Sequence, residues 1–110
     1  MLISWSDFEK IDIRVGTILD AQDFPEAKKA AFQLVIDFGD AGIKKSSAQI
    51  TGLYSIEELR GRQIIAILNF PPKKIANFSS DCLVLGVYAE NGDVVLLQPD
   101  RPVRNGCKIG

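Results

Sequence analysis

Tyr54-Ser55-Ile56-Glu57-Glu58-Leu59-Arg60-Gly61-Arg62-Gln63-Ile64-Ile65-Ala66-Ile67-Leu68 encodes a short helix that runs straight into an apolar strand. Ser55 caps the helix and Glu58 closes a capping box. Tyr54 and Leu59 form a hydrophobic staple, and Gly61 supplies a left-handed stop. Glu57 and Glu58 suit the positive end of the helix dipole, which explains them without catalysis. Gln63 to Leu68 is near-continuously apolar, the pattern of a strand buried on both faces. The elements on either side of this helix–strand unit decide the fold.

Upstream, Ser4-Trp5-Ser6-Asp7-Phe8-Glu9-Lys10 opens a helix of about two turns, too short to stand alone. Ser4 with Asp7 makes a capping box and Ile3 with Phe8 a staple, while Ser6 with Glu9 is a competing cap. Ile11 to Asp20 begins with clean apolar–polar alternation, and Gly16 interrupts it at a place suited to a bulge or sharp bend. Phe32 to Phe38 is a second strand with Phe32, Leu34, Ile36 and Phe38 on one face. Gly39-Asp40-Ala41-Gly42 turns the chain back into Ile43 to Ile50, the most polar strand. Downstream, Asn69 to Asp81 is a loop carrying two prolines, two lysines and two phenylalanines. Cys82 to Tyr88 and Val94 to Leu97 are apolar strands joined by a turn at Asn91-Gly92-Asp93, and the tail from Gln98 extends over the surface. Three strands, a helix and two more strands give an all-β protein with short helices. The expected architecture is a five-stranded Greek-key barrel of the OB-fold type with N- and C-terminal additions, as one domain over residues 1–110.

Composition narrows the function. With 46% hydrophobic and 25% charged residues the chain has ordinary globular usage. No apolar run is long enough to span a bilayer and the N-terminus lacks a basic signal-peptide region, so a cytoplasmic protein without membrane insertion is expected. There is no histidine, which removes the commonest general base and the commonest transition-metal ligand. No nucleophile has a base at a recognisable spacing, and no metal-ligand cluster or cofactor motif is present; a non-enzyme is expected. The two cysteines, Cys82 and Cys107, read as free thiols, Cys82 as a small core residue.

The net charge of −1 gives no global attraction for a polyanion, so placement of charge matters more than its total. Six basic residues form adjacent pairs: Lys28-Lys29, Lys44-Lys45 and Lys73-Lys74. On an OB-fold, ligands lie across strands two and three between the loops that join strands one to two and four to five. All three pairs fall on the rim or face of that groove, as nucleic-acid binding requires. Ser46, Ser47, Asn69, Ser80 and Asp81 add short polar groups on the same rim; they suit phosphate or base-edge contacts, or local loop chemistry. Phe24, Phe70 and Phe78 lie in the same loops. They could stack on unpaired bases, plug the barrel ends, or form an apolar pocket for an extended peptide whose acidic flanks meet the lysines.

Several runs resemble the tRNA-binding domain family, which includes C-terminal domains of bacterial methionyl-tRNA synthetases and free-standing tRNA-binding proteins. They are Ile11-Asp12-Ile13-Arg14-Val15-Gly16-Thr17-Ile18, Pro25-Glu26-Ala27-Lys28-Lys29, Glu57-Glu58-Leu59-Arg60-Gly61-Arg62, Asn69-Phe70-Pro71-Pro72 and Ser80-Asp81. Lys44 to Thr51, Asn69 to Pro72 and Gly92 to Leu97 are similar in particular to its secretion-associated, chaperone-like CsaA subgroup. The resemblance implies an OB-fold homodimer that binds tRNA, with Lys29, Asn69 and Ser80 at positions of tRNA contact. It also implies binding of unfolded or precursor polypeptides, for which Phe70 and Phe78 are the candidate pocket. Trp5, Phe8 and Val94, Val95, Leu96, Leu97 are then the candidate dimer interface. Gln49, where free-standing tRNA binders tend to have Gly, and Cys82-Leu83, where they tend to have Gly-Met, depart from the pattern.

Overall fold

Apolar side chains at every second position draw the strands into one antiparallel sheet. In the computed structural model, which describes residues 1–110, β1 (Ile13–Asp23), β2 (Phe32–Asp37) and β3 (Ile43–Ala48) precede a helix. β4 (Gln63–Ile67) and β7 (Leu83–Val84) complete a five-stranded sheet in the order β3-β2-β1-β4-β7. The sheet curls into a nearly closed barrel, as the OB-fold expectation requires. Two small hairpins are added: β5 (Lys73–Ile75) with β6 (Phe78–Ser80), and β8 (Gly86–Tyr88) with β9 (Val94–Leu96). The expected strand Cys82–Tyr88 is therefore two strands, one in the barrel and one in the second hairpin.

β1 holds the barrel together because it serves two neighbours. Residues 13–17 pair with β4 and residues 17–23 with β2. The change of partner is accompanied by a bulge, but not at Gly16. The register slips between Ile18 and Asp20, leaving Leu19 as the extra residue. Gly16 continues the ladder opposite Ile64. Its role is close approach: a Cβ there would lie 2.6 Å from the Phe38 ring and 2.8 Å from Ile36. Glycine interrupts the alternation because Ile36 and Phe38, on and just after the neighbouring β2, need the space.

The interior is built from Ile18, Leu34, Ile36, Phe38, Leu59, Ile64 and Ala66, all fully buried. On β4 only Ile64 and Ala66 are fully buried, while Ile65 and Ile67 are half-buried. The two-faced burial expected from that apolar run is not found, because a curled antiparallel sheet has a single inner face.

The helix of the opening motif is α2 (Ile56–Leu59), capped by Ser55 with the reciprocal Glu58 bond. It ends at Gly61 with φ +83°. Leu59 is its one buried side chain, and burying it contributes about 1.5–3 kcal/mol. The turn after α2 is tied to β1 beside the bulge, with Gly61 N–H donating to Ile18 O and Ile18 N–H to Arg62 O.

The terminal additions are also bonded into the barrel. α1 (Trp5–Glu9) uses the Ser4–Asp7 capping box, not Ser6–Glu9. Asn69 joins it to the end of β4: its Nδ2 donates to Lys10 O at 2.6 Å and its Oδ1 accepts from Asp12 N at 2.9 Å. The C-terminal tail is not merely draped over the surface. Gly106 N–H donates to Val15 O, Val15 N–H to Cys107 O and Ile109 N–H to Ile13 O, which covers the free edge of β1. No helix is long and apolar enough to cross a membrane.

Candidate functional site

β3 and β7 are the two edges of the five-stranded sheet, and the barrel is completed where they meet. Little of that closure is strand pairing. Asp81 N–H donates to Lys45 O at 2.8 Å, and Ser46 Oγ donates to Cys82 O at 3.1 Å. Ser47 N–H donates to Ser80 Oγ at 3.1 Å, and Ser80 Oγ donates to Cys82 O at 3.5 Å. The short polar residues expected to meet a ligand are thus largely engaged in a seam. Ser46 is 1% exposed, since alternation along β3 turns Lys44, Ser46 and Ala48 to one face and Lys45 and Ser47 to the other. It is a seam residue, not a surface contact. Asn69 uses both ends of its amide in the clasp on α1, and Asp81 Oδ1 accepts from Ser79 Oγ at 3.1 Å. Replacing Ser46 with Ala is expected to cost about 1–2 kcal/mol, because the Cys82 carbonyl loses its shorter bond. Urea unfolding measures that loss, and a tRNA titration of the folded variant should show no change in affinity.

Cys82 closes the inner side of the seam, with Sγ 3.7 Å from Lys45 O. Burial pushes its thiol up to about 12. Cys107 is free and exposed. A thiol alkylating agent at neutral pH is expected to modify Cys107 rapidly and Cys82 only on unfolding, as mass spectrometry of timed samples would show. No cluster of three or more Cys, Asp and Glu side chains is placed to hold a metal ion.

The seam anchors the β5–β6 hairpin, and the hairpin brings two lysine-bearing segments together. Phe24, 5% exposed, stacks obliquely on Phe78 with ring centroids 5.4 Å apart. This contact joins the Lys28-Lys29 loop to the Lys73-Lys74 hairpin, while Asp81 and Ser80 join the hairpin to β3 beside Lys45. Lys28, Lys29, Lys45, Lys73 and Lys74 are exposed and Lys44 is half-buried. None of the six makes an ion pair, whereas Lys10, Arg14, Arg60, Arg101 and Arg104 do. Adjacent lysines on a strand face opposite ways, so Lys44-Lys45 and Lys73-Lys74 each divide between two sides. The segments converge, but no single face receives all six charges.

On the other side of the hairpin a groove of ≈780 Å³ opens between the end of β3 and the β7–β8 segment. Ile50, Phe70, Ile75, Val84, Tyr88 and Val94 give it an apolar lining, and Lys73 stands at its edge. Phe70 is 54% exposed there. Phe78 is not on the lining, because its ring is turned toward Phe24. The two phenylalanines proposed as one pocket therefore do different work. Tyr88 and Val94 were not legible as lining, since their position follows from the second hairpin leaving the barrel.

Of the candidate dimer residues, Trp5 and Val95 are exposed and Phe8 is half-buried. Trp5 is 80% exposed and meets Phe8 edge-on at 6.4 Å, and α1 buries no residue. Val95 is exposed and Val94 and Leu97 are half-buried. Leu96 differs from its neighbours: it belongs to the core cluster at 8% exposure, and its N–H donates to Tyr54 Oη at 3.0 Å.

Comparison with known proteins agrees with this architecture. The family model of a tRNA binding domain matches residues 13–108. The crystal structure of chaperone CsaA from Bacillus anthracis is 51% identical with a TM-score of 0.94, covering 100% of both chains. That of the CsaA chaperone protein from Picrophilus torridus is 54% identical with a TM-score of 0.93, covering 99% of this chain and 100% of the other. Methionine–tRNA ligase of Methanocaldococcus jannaschii is 36% identical over 107 residues, which is 97% of this chain but 16% of the ligase. The chain thus spans about one sixth of that relative's length. A barrel with this seam, matched by the family model over nearly its whole length, belongs to the tRNA-binding domain family, in its CsaA-like part.

Proposed function

We propose that the chain is a homodimeric binding protein that takes tRNA on its lysine-bearing loops and unfolded precursor polypeptide in its apolar groove. The observation that carries the tRNA half is the physical linkage of three unpaired lysine segments through Phe24–Phe78 and the seam. Lysines free of carboxylates can exchange counterions for phosphates, which is the main source of non-specific nucleic-acid affinity. The groove supports the polypeptide half, because its apolar lining suits side chains better than phosphates. Exposed Trp5 on α1 and exposed Val95 on β9 support a second copy as their cover. The proposed setting is the cytoplasm, where tRNA and precursors awaiting export are both found. The ligase activity of the longer relatives is not carried over, since the match covers only one part of them.

A tRNA titration at several salt concentrations, run beside an assay of suppressed aggregation of an unfolded export precursor, tests both halves. The expected result is salt-dependent tRNA binding together with suppression. Phe70→Ser should reduce suppression several-fold while leaving the salt dependence of tRNA binding unchanged. A protein that binds tRNA but never suppresses aggregation would be a tRNA-binding module alone.

A further inference from the structure

Beyond the seam, the segment that leaves β3 and the strand β7 carry backbone groups without a backbone partner in the chain. Phe38 N–H donates to Gly42 O, and this sets the antiparallel alternation of the hairpin. Even-numbered residues of β3 bond to β2, while Lys45, Ser47 and Gln49 direct their N–H and C=O to the opposite edge. The seam uses this edge at Lys45 O and Ser47 N. Gln49 comes just after the end of β3, and neither its N–H nor its C=O has an intramolecular backbone partner. The other wall shows the same pattern. Leu85 N–H donates to Ile65 O, so Val84, paired opposite Ala66, directs its own N–H and C=O away from β4 and toward the groove. Both residues line the groove.

We propose that this groove binds its polypeptide as an added β-strand, hydrogen-bonded to Gln49 just after β3 and to Val84 on the facing wall, with alternate apolar side chains on the groove floor and an acidic residue at Lys73. The proposal rests on the polypeptide half of the function proposed above and specifies its mode. Unpaired N–H and C=O groups match a peptide backbone, which offers both donor and acceptor at every second residue. Lys73 is the one charged side chain on the lining and no carboxylate shares it. That suits a segment with one acidic residue and argues against RNA, which brings a negative charge with every nucleotide.

The test uses the full chain and a labelled peptide of alternating Val and Thr with Glu at both ends. Its twin is N-methylated at alternate residues, which keeps side chains and charge but removes donors. Binding of the parent peptide should slow hydrogen exchange at the Gln49 and Val84 amides. The twin should bind at least about tenfold more weakly, the loss expected for two or more hydrogen bonds. Gln49→Pro, which removes an amide that makes no native bond, should weaken the parent peptide, whereas Gln49→Ala should not. Equal binding of parent and twin would overturn strand addition while leaving the polypeptide function intact. Absence of parent binding, with or without protection of the same amides by an oligouridine, would overturn both.

Discussion

Replacing Lys28, Lys29, Lys73 and Lys74 together with Ala is expected to weaken tRNA binding by on the order of 10³-fold at about 0.1 M salt. Each phosphate contact contributes a slope of roughly 0.7–0.9 in log K against log salt, so each is worth nearly tenfold at one decade below 1 M. Four contacts would give about 10³-fold, and three effective ones a few hundredfold. The slope itself should flatten by about 2–3 and the two binding curves should converge at high salt. Stability should hardly change, because the four side chains are exposed and none is in an ion pair. Filter binding across a salt series measures slope and affinity together, and thermal unfolding supplies the control. An unchanged slope would move the RNA site away from this hairpin and loop. Lys45→Ala should then be compared by itself, since it lies on the outer face with Ser47, to find whether the sheet face contributes as well as the loops.

How far the sequence could be followed depended on whether a residue's role is set locally. The capping boxes at Ser4 and Ser55 were legible because each depends on residues three apart. The strands were legible where apolar residues alternate, as in Phe32 to Phe38. Ser46 was not, because a serine in a polar strand carries no local sign of which face it takes. Its burial is set by Cys82, 36 positions later. Phe24 and Phe78 were placed in facing loops, but their stacking depends on the β5–β6 hairpin, whose turn at Ala76 has φ +51°. That positive φ at a non-glycine residue gives no turn signature in sequence. The groove was missed as a volume for the same reason as the split strand: Gly86 to Tyr88 leave the barrel to pair with β9, and composition does not report when a strand changes sheets.

Gly16 gives the largest predicted effect of a single added carbon. A methyl group there would sit within 2.6 Å of the Phe38 ring, itself fully buried. Aromatic ring atoms at a packed barrel end cannot retreat as the tip of a flexible side chain can, so Gly16→Ala is expected to destabilise by about 1–3 kcal/mol. Removing the ring with Phe38→Ala should cost about 3–5 kcal/mol, from lost burial plus the cavity left behind. The informative measurement is the double variant. If Gly16 is required by close approach, the new methyl group fits into space vacated by Phe38. The double variant should then be only slightly less stable than Phe38→Ala alone, the remaining cost coming from Ile36 at 2.8 Å, with a favourable coupling of about 1–2 kcal/mol in a denaturant cycle. If Gly16 were needed for backbone freedom at a bend, the two costs would add, because the ring's removal would not relieve a strained φ. Gly16 pairs regularly with Ile64 and the bulge lies at Leu19, so coupling is the expected result. It would also explain why an alternating strand breaks its pattern at a residue that does not turn the chain.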